Sequence, residues 1–282
     1  MDFSEKLHRA MRDPRRALER VGTVLLESAI AVHNAVTDRL RHRALPLGGF
    51  APLDEIAEHA ASRTDISDHL PTLFLESLPV APTLIVELGM RGGESTFALE
   101  RVAELYGANL VSVDVDPCAR VSAYPGWEFV QSDDIAFAGH FAEWCSERGG
   151  DPAIDVLFVD TSHEFEHTVQ EIAHWFPYLS PRAKVFFHDT HMRRVFLRRD
   201  GSRGLGWNNR RGVMAAIEQY LGCSFDETRD FTTLSGEWIV RHYARCNGLT
   251  ILERWRRPEG EPSTETGPAA DAAESSLVGL GQ

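Results

Sequence analysis

Short, largely apolar runs alternate with stretches of helical spacing through the middle of this chain. Runs at 84–88, 110–115, 128–131, 156–160 and 185–188 predict five strands. Helices are predicted between them over 94–106, 136–148 and 164–178, then over 212–221, before two further strand-like runs at 237–242 and 249–252. Strands that alternate with helices, and are apolar on both faces, belong in a parallel sheet covered on both sides. The expectation is an α/β protein with a doubly wound, mostly parallel sheet. In such sheets ligands sit beyond the carboxyl ends of the strands, so chemistry is sought there.

The two ends of the chain read differently. Leu18, Val21, Leu25, Leu26, Ile30, Val32 and Val36 place residues 1–43 in amphipathic helices, with Arg9, Arg12, Arg15, Arg16, Arg20, Arg39, Arg41 and Arg43 on them. A solvated face, or packing on a partner subunit of the same chain, is the expectation, ahead of a membrane surface. Leu45-Pro46-Leu47-Gly48-Gly49 reads as a linker. Beyond Trp255 the composition has little to bury and reads as disordered. The expected division is a helical extension at 1–60, a catalytic domain at 61–255 and a tail at 256–282.

Composition narrows the class of protein. A net charge of −13 over 282 residues argues against a nucleic-acid binder. No apolar run has the length of a membrane span. Four scattered cysteines, without C-x-x-C spacing, suit a reducing cytoplasm.

The strand ends carry the chemistry. After the first strand, Glu87-Leu88-Gly89-Met90-Arg91-Gly92-Gly93-Glu94-Ser95 is a glycine turn opening a helix. It is not the dinucleotide G-x-G-x-x-G, because Glu87 holds the first glycine position. After the second strand, Asp114 or Asp116 can accept hydrogen bonds from a ribose. Asp133 and Asp134 follow the third strand, where Asp134 suits a helix N-cap. The fourth and fifth strands end in Asp160-Thr161-Ser162-His163 and His188-Asp189-Thr190-His191. Carboxylates on neighbouring strand ends can share a hard cation, and imidazoles beside them can act as bases.

E-x-G-x-x-x-G at Glu87 to Gly93 resembles motif I of class I S-adenosylmethionine (SAM) methyltransferases, with their Rossmann-like fold. The resemblance implies that Glu87, Gly89, Arg91, Gly92, Gly93 and Ser95 serve the methionine part of SAM. It also implies that Asp114 holds the ribose and Asp133 the adenine amine. With D-x-x-H-x-x-E at 160–166 and H-D-T at 188–190, the chain resembles a metal-dependent subgroup. That subgroup methylates sugar hydroxyls in macrolide, aminocoumarin and actinobacterial polysaccharide pathways, and includes the cephalosporin-hydroxylase-like family. Its implied ligands for Mg²⁺ are Asp160, His188 and Asp189, where His188 replaces a carboxylate of several relatives and admits Mn²⁺.

The expected function is therefore SAM-dependent O-methylation of a sugar, oligosaccharide or glycosylated small molecule. Asp160 serves the chemistry and His163 is the expected base, with His191 as the alternative. Arg193, Arg194, Arg198, Arg199, Arg203, Arg210 and Arg211, with Gly201, Gly204 and Gly206, suggest a mobile basic loop over the acceptor. Trp207-Asn208-Asn209 there offers a stacking plane and two amides. The competing readings are a nicotinamide-dependent oxidoreductase and a non-catalytic SAM-fold binding protein.

Overall fold

The computed structural model describes residues 14–40, 48–207 and 211–255. The expected tail, most of the linker, Arg9, Arg12, Arg41, Arg43, Asn208, Asn209 and Arg210 lie outside these residues. Helices are α1 (Pro14–Leu40), α2 (Ala51–His59), α3 (Leu70–Ser77), α4 (Glu94–Tyr106), α5 (Asp134–Ala138), α6 (Phe141–Glu147), α7 (Phe165–Trp175) and α8 (Gly212–Leu221). Strands β1 (Leu84–Leu88), β2 (Asn109–Asp114), β3 (Trp127–Gln131), β4 (Ile154–Val159) and β5 (Leu179–His188) form the parallel part of the sheet. Strands β8 (Phe231–Ser235), β9 (Trp238–Tyr243) and β10 (Leu249–Arg254) complete it, in the order 3-2-1-4-5-10-9-8.

Period-two alternation divides the strand side chains between two cores. Val86, Leu88, Val113, Leu157 and Phe187 point to one face, under Phe141, Trp175 and Ile217 from α6, α7 and α8. Ile85, Leu110, Val156, Phe158 and Phe186 point to the other, under Phe74 and Leu99 from α3 and α4. Both faces are dry, which is why the runs read as continuous. The single charge inside β4, Asp155, accepts from Thr83 N, Thr83 Oγ1 and Ser180 Oγ and pairs with Arg182. It clamps the amino ends of β1, β4 and β5 together.

Three expectations are revised. The helix expected over 136–148 is two helices, broken at Gly139 and His140. Helices α2 and α3 and strand β8 were not read, because their apolar residues are too few or too brief to show a period. The expected mobile loop is instead a hairpin of β6 (Val195–Leu197) and β7 (Arg203–Leu205). Its glycines serve close packing rather than mobility: a Cβ on Gly204 would overlap the Phe196 ring, and one on Gly206 the Arg193 carbonyl. Arg198 is buried and donates to the Thr64 and Arg203 carbonyls, fixing the hairpin to the chain ahead of α3.

Helix α1 runs alongside that hairpin. Asn34 exchanges hydrogen bonds with the Arg203 backbone, and His33 meets the Gly201 carbonyl. Its opposite side leaves Leu18, Val21, Leu25, Val32 and Val36 exposed. No helix among the described residues is long and apolar enough to cross a membrane.

Candidate active site

The carboxyl ends of β1, β2, β4 and β5 open into one cavity of about 440 Å³. Its floor is the loop after β1, and the sequence fixes that loop's path. Gly89 takes a left-handed φ of 78°, and any Cβ there would overlap the Asp160 carbonyl. Gly93, also left-handed, caps α4 and packs on Val121. Gly89→Ala should cost about 1–3 kcal/mol of stability through backbone strain alone; a thermal unfolding midpoint unchanged by it would contradict this account of the turn.

Glu87, expected among the cofactor contacts, does not line the cavity. It is fully buried, and its oxygens accept from Ser95 Oγ (2.6 Å), Thr96 Oγ1 (2.8 Å) and Ser112 Oγ (2.5 Å). Burial pushes its pKa up to about 7, against the pull of the three hydroxyls. Glu87 and Ser95 thus lock α4 to β1 and β2 from beneath. Arg91 and Gly92 border a smaller cleft beside the main cavity, with Thr64 and Asp65. Arg91 Nη2 donates to Asp65 at 2.9 Å across it. A guanidinium and a carboxylate side by side match the zwitterionic end of an amino acid.

Asp114 lines the cavity and also holds the loop. Its Oδ2 accepts from the backbone N–H of Met90 (2.8 Å) and Arg91 (3.0 Å), and Oδ1 from Asp116 N (2.9 Å). Asp133 is the N-cap of α5, accepting from Ala136 N at 2.9 Å. The cap was expected at Asp134, which instead turns inward to His167 Nε2 at 3.0 Å. Both aspartates remain on the cavity wall.

Beyond β4 and β5 the expected acid–imidazole group comes together, with one exchange of roles. Asp160, His163 and Asp189 present ligand atoms within 4.8 Å of one another. His163 Nε2 stands 3.2 Å from Asp189 Oδ2 and its Nδ1 3.7 Å from Asp160 Oδ1. His188, expected as the third ligand, lies behind them: it is fully buried, and its Nδ1 faces Asp160 Oδ1 at 3.1 Å and Asp189 Oδ1 at 3.4 Å. Although burial opposes its charge, the two carboxylates push its pKa up to about 10. Burial raises Asp160 in turn, yet His188 holds that carboxyl below its ordinary value. His191 does not line the cavity. Its backbone pairs with Asn247 at 2.6 Å, and burial holds its pKa down.

Several contributors were illegible in the sequence. Strand β10 runs antiparallel beside β5, with Leu249 opposite His188, so Asn247 is carried over the cavity. The Asn247 Oδ1 atom is buried without a hydrogen-bond partner. Met192 and Leu205 form the outer wall beside Trp207, the stacking residue the sequence did offer, which is 75% exposed. Arg211 turns away to Glu218 and Glu227. Arg91, His163, Asp189 and Asn247 all adopt left-handed φ, at 39°, 59°, 57° and 70°. Such strain in non-glycine residues gathers where surrounding structure enforces a functional geometry.

Comparison with known proteins agrees with this frame. Residues 86–190 match the model of a family described as a methyltransferase domain. Among solved structures, the chain is similar to the MycE methyltransferase of the mycinamycin biosynthetic pathway, in complex with Mg, SAH and mycinamycin VI. That match has 18% identity and a TM-score of 0.49, covering 91% of this chain and 65% of that one. It is similar as well to the O-methyltransferase TomG from Streptomyces achromogenes in complex with SAM. There the identity is 14% and the TM-score 0.45, over 80% and 96% of the two chains. An O-methyltransferase from Bacillus cereus in complex with SAH gives 13% and 0.44, over 79% and 97%. No curated protein matches. The present chain thus spans about two thirds of the length of MycE. With its 3-2-1-4-5 parallel core and helices on both faces, the chain has the class I methyltransferase fold.

Proposed function

We propose that this protein is a SAM-dependent O-methyltransferase acting on a hydroxyl of a sugar, oligosaccharide or glycosylated small molecule. The observation that carries the reading is the Asp160/His163/Asp189 group facing the same cavity as the loop held by Asp114. SAM fits the residues present. The ribose side has Asp114, whose oxygens keep acceptor capacity beyond three backbone bonds, and the adenine side has Asp133. Arg91 and Asp65 suit the two charges of the methionyl end. When bound, SAM supplies a methyl group already activated on a sulfonium.

What remains is to align an acceptor oxygen and remove its proton. His163 is placed for the second task, and Asp189 at 3.2 Å stabilises the imidazolium so formed. The orphaned Asn247 Oδ1 suits an acceptor hydroxyl, and Trp207 offers a plane for a sugar ring. Arg193 and Arg194, exposed beside that wall, suit an anionic substituent.

A divalent ion, Mg²⁺ or Mn²⁺, belongs to the same reading. Asp160 and Asp189 would hold it with His163 adjacent, and the buried Asp189 Oδ1 has no hydrogen-bond partner of its own. Bound there, the ion supplies Lewis acidity that lowers the pKa of a hydroxyl.

Titration calorimetry with SAM, repeated with NADH, tests the assignment. SAM should bind in the micromolar range and NADH should not. Asp114→Ala should weaken SAM by about 1–3 kcal/mol, through unpaired hydroxyls and a loosened loop. Tight NADH binding without SAM binding would overturn the reading.

A further inference from the structure

A second group of metal-ligand side chains stands on the β3 side of the same cavity, apart from Asp160 and Asp189. Asp134 starts α5, His167 and Glu171 stand one turn apart on α7, and Thr161 belongs to the loop after β4. The ligand atoms of Asp134, His167 and Glu171 lie within 4.8 Å of one another. His167 Nε2 is 3.0 Å from Asp134 Oδ1 and 3.7 Å from Glu171 Oε1. Zinc bonds to nitrogen and oxygen of about 2.1 Å set tetrahedral ligands about 3.4 Å apart, between these two distances.

The independent observation is what the cluster leaves unsatisfied. Asp134 is 6% exposed and Glu171 1% exposed, yet Asp134 Oδ2 and Glu171 Oε2 are buried with no hydrogen-bond partner. Thr161 Oγ1 already donates to the other Glu171 oxygen, at 2.5 Å. Each carboxylate keeps one donor, His167 Nε2 or Thr161 Oγ1, but its second oxygen is buried and orphaned, which costs free energy. A cation bound by both carboxylates removes that cost.

We propose that Asp134, His167 and Glu171 form a second divalent-cation site, suited to Zn²⁺ or Mn²⁺, that ties α5 to α7 under the inner wall of the cavity. One imidazole and two carboxylates suit borderline ions better than Mg²⁺. The ion needs no open coordination position for chemistry. Its role is to hold the Asp133–Asp134 turn. The inference stands independently of the proposed reaction.

The test uses the full chain stripped of metal and then titrated with Zn²⁺, with bound metal measured per chain. A variant carrying Asp160→Asn and Asp189→Asn isolates the second site, and should still bind one Zn²⁺ with a raised thermal midpoint. Adding His167→Gln should lower that affinity at least 100-fold, and Glu171→Gln should do the same. His167 is partly exposed, so its variant keeps the fold and separates lost binding from lost structure. Absence of Zn²⁺ binding in the double variant would overturn the proposal, since a proton shared between Asp134 and Glu171 would then satisfy both. So would binding unchanged by both additional substitutions.

Discussion

Chelation with EDTA is expected to abolish methyl transfer while leaving SAM binding largely intact, with Mg²⁺ or Mn²⁺ restoring turnover. Asp160 and Asp189 end neighbouring parallel strands, β4 and β5, and both are largely buried. His188 faces both from behind, and Arg91 interacts with both from the loop after β1. A divalent cation in front would relieve the remaining repulsion. Asp160→Asn and Asp189→Asn should each reduce turnover at least about 100-fold, because losing only an outer partner of a metal ligand costs about 10–100-fold. These variants also separate this centre from the cluster at Asp134, which chelation would empty as well. Full activity in EDTA would end the metal part of the reading and leave Asp160 and His163 as a metal-free acid–base pair.

The second large effect is expected at His163. His163→Ala should lower the rate by about 10²–10⁴-fold with SAM affinity unchanged, the usual range for removing a general base. The imidazole lies between two carboxylates, so its metal role has to be measured alongside. A metal affinity that survives the substitution identifies the base. If the rate loss instead disappears when metal is supplied in excess, His163 is a ligand and the base lies elsewhere. His191, the alternative base, does not line the cavity.

The sequence by itself determined the sheet and the addresses of its chemistry. Uninterrupted apolar strands can be satisfied only between two helical layers, and the acidic residues just after those strands must then share one edge. Asp114, Asp133, Asp160, His163 and Asp189 were legible for that reason. Tertiary structure decided which way each group turns. Glu87 and Ser95 look alike as cofactor ligands in one dimension, but the approach of α4 and β2 buries both in a hydroxyl cage. His188 was expected as a metal ligand and His163 as the base. The alternation of β5 sends His188 into the interior, while the left-handed turn after β4 brings His163 over Asp189. The arginine-rich stretch read as a loop because charge marks exposure on average. One of those arginines, Arg198, is instead buried, donates to the Thr64 and Arg203 carbonyls and fixes a hairpin. Asn247 had no local signal at all: an antiparallel strand some 60 residues after β5 places it over the cavity, and only pairing across the sheet determines that.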